Sequence, residues 1–180
     1  MNKLNFLMLL FLSCSHLNAR FEELPTYKRK NWPHWSDMDK DCLNTRHEIL
    51  SERSIVEVKF SRKKCKVDQG KWADYYYPQF HTDPKKVDID HLVPLKHAHE
   101  SGGAFWVKKE KEKFANDPEN LVITDKKFNR KKGALRIDQW LPVHKDYACK
   151  YVKDWIKVKT KYQLKITGPE RKTIQTLSCP

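Results

Sequence analysis

Two short strand-forming runs set the frame of this chain: KVDID at 86–90 and LVIT at 121–124, held thirty residues apart. The basic segment DKKFNRKKG follows the second run directly. The first run alternates polar and apolar residues, whereas the second is continuous and apolar, as a buried strand requires. Thr124 or Asp125 supplies a helix start and Gly133 a helix stop, so the basic segment reads as a helix. Adjacent residues on a regular strand point to opposite faces, so Asp90 and His91 serve one site only if the strand ends at that pair. Pro94 restricts the residue before it and agrees with the chain leaving the sheet here.

Other elements surround this unit, and together they predict an α+β domain. Residues 20–41 form a polar arm whose Trp32 and Trp35 are expected to pack onto the domain. NTRHEILSERS, capped by Asn44 or Thr45, reads as a short helix. SIVEVKFS alternates like a strand, and a turn at Asp68-Gln69-Gly70 predicts a hairpin. LKHAHESG and residues 108–116 read as two helices inside the long connection. Between Lys145 and Tyr162 the apolar residues Tyr147, Tyr151, Val152, Trp155 and Ile156 share one helical face. A last helix starts at Pro169, with Glu170 in its electropositive first turn.

The N-terminus reads as an export signal over residues 1–19. Lys3 precedes a nine-residue apolar run, Leu4 to Leu12, broken only by Asn5 and too short to span a bilayer. Cys14 in FLSC offers lipid attachment as the alternative to cleavage after Ala19. Beyond the leader lie Cys42, Cys65, Cys149 and Cys179, an even number suited to two disulfides in an oxidising compartment. Three connectivities exist, and the local pairs Cys42–Cys65 and Cys149–Cys179 are favoured because each staples a nearby unit. No pair has the CxxC spacing of a zinc knuckle. The formal net charge of +13 suits a polyanionic partner, nucleic acid first among them.

Asp90, His91, Asn120 and Asn129 supply what single-metal phosphodiester hydrolysis needs. A hard cation such as Mg²⁺ keeps several waters and accepts a carboxylate and an amide oxygen as its protein ligands. A neutral imidazole can take a proton from water near pH 7. Asn129 and Lys132 are three residues apart on a helix, which would set a ligand beside a phosphate-facing cation. Taken singly, each has a plainer role: a loop histidine, a turn-capping aspartate, an exposed helical amide or a solvated lysine. Asp88 shares a strand face with Asp90 and reads as structural, and His97 and His99 as solvent-facing or supporting residues. The Tyr75–Tyr77 run could stack bases, although packing is the simpler expectation.

DHLVP followed by NLVITDKKFNRKKG, with Asn120 and Asn129 nine apart, resembles the HNH signature of ββα-metal nucleases. The chain is most similar to exported HNH nucleases grouped with the C-terminal domain of GmrSD restriction enzymes. That resemblance extends over WSDMDKDCLNTRHEIL, KCKVDQGKW, IDHLVPLKHAHESGGAFW and WLPVHKDYACKYV. It implies a ββα-metal core in a nuclease domain over residues 42–180, elaborated with an N-terminal hairpin region and C-terminal helices. It implies that His91 is the general base and that Asp90 and Asn129 bind one divalent ion, Mg²⁺ or Mn²⁺. Asn120 would complete the catalytic set by bonding within the loop and holding the histidine, and Lys132 and Arg130 would face the substrate. Arg46 is a further candidate, for phosphate or for an acid. The implied activity is cleavage of DNA, with RNA as a second substrate class, leaving 5′-phosphate and 3′-hydroxyl ends. The expected protein is an exported monomer, secreted, periplasmic or lipid-anchored, with no transmembrane span in its mature chain. A non-catalytic cationic protein that binds anionic polymer shares the charge and disulfides, but gives no reason for the four site residues at these spacings.

Overall fold

The computed structural model describes residues 23–177 and 179. The expected leader, with Cys14, lies outside the described residues. Among those described, six α-helices and three separate two-stranded antiparallel ribbons make an α+β fold. No described helix is long and apolar enough to cross a membrane.

The central ribbon joins β5 (Val87–His91) to β6 (Leu121–Asp125), in register from Val87 opposite Asp125 to His91 opposite Leu121. The helix α4 (Lys126–Lys132) follows at once. Asp125 caps it by accepting from Lys127 N at 2.7 Å, and Gly133 ends it at φ +50°, where a side chain would be strained. The connection between the two strands carries α2 (Leu95–Glu100) and α3 (Lys108–Ala115).

Strand alternation divides the core. Val87, Ile89, Leu121 and Ile123 pack against Ile49 and Leu50 of α1 (Thr45–Glu52), with Val67 and Trp72. Val122 joins a larger core with Trp32, Tyr76, Leu92, Phe114 and the inner face of α5 (Lys145–Lys161). On that face Tyr151, Val152 and Trp155 are buried, and Tyr147 and Ile156 partly so. Complete burial of an aliphatic side chain such as Leu50 contributes about 1.5–3 kcal/mol.

Several expectations are corrected. Only Lys59–Phe60 of SIVEVKFS is a strand (β1), because the alternation has no buried face: Ile55 and Val56 are 56% and 50% exposed. The turn at Gly70 does not close a hairpin. Its incoming strand β2 (Val67–Gln69) pairs back to β1, and its outgoing strand β3 (Trp72–Ala73) pairs with β4 (Phe80–His81). At Gly70 a Cβ would sit 2.5 Å from the Trp72 ring, so the chain passes too close for a side chain. His97 and His99 do not face solvent. His97 Nε2 lies 3.0 Å from Glu170 Oε1 and 2.9 Å from Lys159 Nζ, all three residues buried. His99 Nε2 donates to Pro25 O at 2.6 Å. Glu170 belongs to α6 (Gly168–Thr176), capped by Thr167, so this buried ion pair docks the last helix.

Both local disulfides form. Cys42–Cys65 ties the end of the arm to the β1–β2 ribbon, and Cys149–Cys179 ties α5 to the C-terminal segment. Replacing Cys149 and Cys179 by alanine opens a 30-residue link and should cost about 3–4 kcal/mol in the chain-entropy model. Urea unfolding of the double variant, read by tryptophan fluorescence, checks this.

Candidate functional site

β5 ends at His91, so the condition for Asp90 and His91 to share a site is met. The neighbouring ribbon helps to shape that site. Asp74, just after β3, accepts from Thr124 Oγ1 at 3.0 Å and from Asp125 N at 2.7 Å, which locks it to the end of β6. It also accepts from Tyr76 N at 2.8 Å, and the turn so formed delivers the buried Tyr76 hydroxyl to Asp90 Oδ2 at 2.7 Å.

Asp90 is buried but not alone. Lys132 Nζ approaches the same Oδ2 at 2.8 Å and donates to His91 O at 2.8 Å, so one ammonium fixes the backbone and side chain of the DH pair. Lys132 is 0% exposed, which corrects its expected phosphate-facing role. Tyr76 and Lys132 both occupy Oδ2, and Asp90 Oδ1 receives no hydrogen bond from a described residue.

His91 has its tautomer set by a backbone carbonyl. Its Nε2 lies 2.8 Å from Ala115 O, which only accepts, so the proton sits on Nε2 and Nδ1 carries the lone pair. Trp35 stacks on the ring at 5.7 Å between centroids and 28° between planes. Burial pushes the imidazole down to about 3, the Arg29, His34 and Lys132 charges push the same way, and the Ala115 bond opposes them.

Asn120 is fully buried and does structural work on the loop. Its Oδ1 accepts from Val93 N at 2.8 Å, its Nδ2 donates to Val93 O at 3.3 Å, and its own carbonyl accepts from Leu92 N at 2.8 Å. The turn that follows His91 is therefore held from three sides. Asn129 donates Nδ2 to Asp88 Oδ2 at 3.0 Å. A carboxylate oxygen accepts, so the amide nitrogen must face it, and Oδ1 is left for another partner.

Asp90, His91 and Asn129 line one cleft of about 350 Å³, together with Tyr27, Arg29 and Lys96. Asn120 does not line it. The available atoms, two hard oxygens and one imidazole nitrogen, fit a divalent cation such as Mg²⁺ and an adjacent base. Of the other expected substrate residues, Arg130 is exposed and without an acidic partner among the described residues. Arg46 is half-buried and donates to Pro84 O at 2.9 Å and Val87 O at 3.0 Å, so it binds backbone rather than an acid. Sequence reasoning missed Arg29 and Lys96 as the cations of the cleft. The run YKRKNWPHW, basic residues beside two ring anchors, was the available signal for Arg29.

Residues 52–175 match the family described as GmrSD restriction endonucleases, C-terminal domain. An uncharacterized secreted protein of Arthroderma benhamiae is 36% identical over 155 residues, which cover 84% of this chain and 74% of the relative. No solved structure matches the chain. The family span contains β5, β6, α4 and every residue of the Asp90, His91, Asn120 and Asn129 set, whereas Arg29, Trp35 and Arg46 precede it.

Proposed function

Because the chain belongs to the family of GmrSD restriction endonuclease C-terminal domains, we propose that it is an exported, divalent-metal-dependent endonuclease that hydrolyses DNA, and RNA as a second substrate, with little sequence preference. The observation that carries this is the convergence of Asp90, His91 and Asn129 on one cleft, each with a donor atom left over after its supporting bond. Two disulfides and a secreted relative support export.

Asp90 and Asn129 would hold the metal, Mg²⁺ by the hardness of their oxygens. When bound, such an ion stabilises charge on the phosphate and the leaving oxygen. Neutral His91 takes the proton of the attacking water at Nδ1, while Ala115 O keeps the Nε2 proton and the ring plane in place. Lys132 and Tyr76 hold the Asp90 carboxylate, and Asp88 holds the Asn129 amide. Arg29 and Lys96, on the cleft wall, are placed for the phosphate oxygens.

Because the His91 pKa is lowered to about 3, the base stays deprotonated on descent through the ordinary histidine range near ~6.5. The acid limb of kcat/KM should therefore lie well below that range. The same shift means that the unfolded chain binds the proton first, so this contribution to stability is present above ~6.5 and lost as pH falls toward about 3. A pH–rate profile with melting curves at each pH checks both.

Supercoiled DNA and structured RNA, digested at equal salt by the oxidised mature protein with Mg²⁺, test the activity. Cleavage to 5′-phosphate ends is expected. Tight binding of both polymers with no cleavage under any divalent ion would favour the cationic binder instead.

A further inference from the structure

A second cleft, of about 520 Å³, opens at the other end of β5. It is lined by Arg46, His47, Lys66, Asp68, Lys85 and Lys126, four fixed cations against one acid. Two of its polar groups are oriented by the backbone. Arg46 is pinned by the Pro84 and Val87 carbonyls. His47 Nδ1 accepts from Val67 N at 3.1 Å, which places the ring proton on Nε2 as a free donor.

Most exposed lysines have no acid within ion-pair distance among the described residues, and those here are set apart by sharing one cleft with Arg46. Lys96, Lys150, Lys157 and Lys161 each lie within an ion-pair distance of an acid. Lys66, Lys85 and Lys126 have no such partner among the described residues, although they share one concavity. Unpaired like charges on oriented walls repel one another, and a polyanion relieves that repulsion.

The spacing suits the substrate of the first cleft. From Val87, where Arg46 is anchored, to His91 the strand runs four residues, about 13 Å at ~3.3 Å each. Phosphates of one strand rise ~3.4 Å per step along the helix axis and also wind around it, so fewer than about four span that distance. Asp88, which accepts from the Asn129 amide of the first cleft, lies on β5 between Val87 and His91.

We propose that the Arg46, His47, Lys66, Lys85 and Lys126 cleft is a backbone subsite that holds phosphates of the bound polynucleotide a few nucleotides from the scissile bond. The polynucleotide as occupant rests on the nuclease reading. The subsite contributes affinity without sequence readout, since phosphates carry none.

The test compares Lys66→Gln/Lys85→Gln/Lys126→Gln with a control of equal charge on α3, Lys108→Gln/Lys109→Gln/Lys113→Gln. Binding of a short DNA duplex is measured by fluorescence anisotropy across a salt series, in chelator so that no cleavage competes. Each lost phosphate contact removes about 0.9 from the slope of log Kd against log salt, so the cleft variant should lose about 2–3 while the control keeps the wild-type slope. Equal losses in both variants, or none in the cleft variant, would overturn the subsite. Wild-type protein that binds with a steep slope but never cuts would remove the nuclease reading and leave the slope comparison to decide the cleft.

Discussion

His91→Ala should cut nucleic acid about 10²–10⁴-fold more slowly than the wild type, the range expected for removal of a positioned general base. The loss should appear in kcat with little change in binding, because the imidazole acts on water and the cleft cations act on phosphate. His91 is also part of the fold, stacked on Trp35 and bonded to Ala115 O. His91→Gln therefore belongs beside it, since a glutamine can still reach toward the carbonyl but offers no base. Both variants should show the same loss of rate, with His91→Gln closer to the wild type in melting temperature. Full activity in either would remove His91 from the role.

Lys132→Met should be among the most damaging single changes to stability. Its ammonium is fully buried, lies 2.8 Å from Asp90 Oδ2 and donates to His91 O at 2.8 Å. Removing one partner of a buried pair leaves the other charge uncompensated, at a cost of about 3–5 kcal/mol. Here the stranded group is Asp90, with Tyr76 alone to support it. Two residues away, the exposed Arg130 gives the contrast: Arg130→Ala should stay within about 0.5 kcal/mol of the wild type. Urea midpoints for the two variants decide the matter. If Lys132→Met were as mild as Arg130→Ala, the buried pair would not be what holds the DH strand end.

This contrast also shows how far the sequence could be read. Residues three apart on a helix share a face, and Asn129 and Lys132 do share one. Their spacing does not say which way the face turns, and it turns inward, to Asp88 and to the DH pair. The strand ends, the Asp125 cap, the Gly133 stop and the apolar stripe of α5 were legible because each rests on local backbone preference or a simple period. Tyr76 was not, since Tyr75, Tyr76 and Tyr77 look alike until the Asp74 turn selects the middle one for burial. His97 and His99 meet their partners, Glu170 and Pro25, more than seventy positions away, and no pattern local to LKHAH reports that. Arg29 reaches the cleft only because Trp32 and Trp35 dock the arm, the first in the core and the second on His91.

The most direct test follows plasmid cleavage by the oxidised mature protein during chelation and metal return. With Asp90 and Asn129 as ligands, EDTA should abolish nicking, Mg²⁺ should restore it in the wild type, and Asp90→Ala and Asn129→Ala should stay inactive at the same Mg²⁺ concentration. Cleavage that continues unchanged in EDTA, or full Mg²⁺ rescue of both variants, would contradict the metal-dependent site proposed for this cleft.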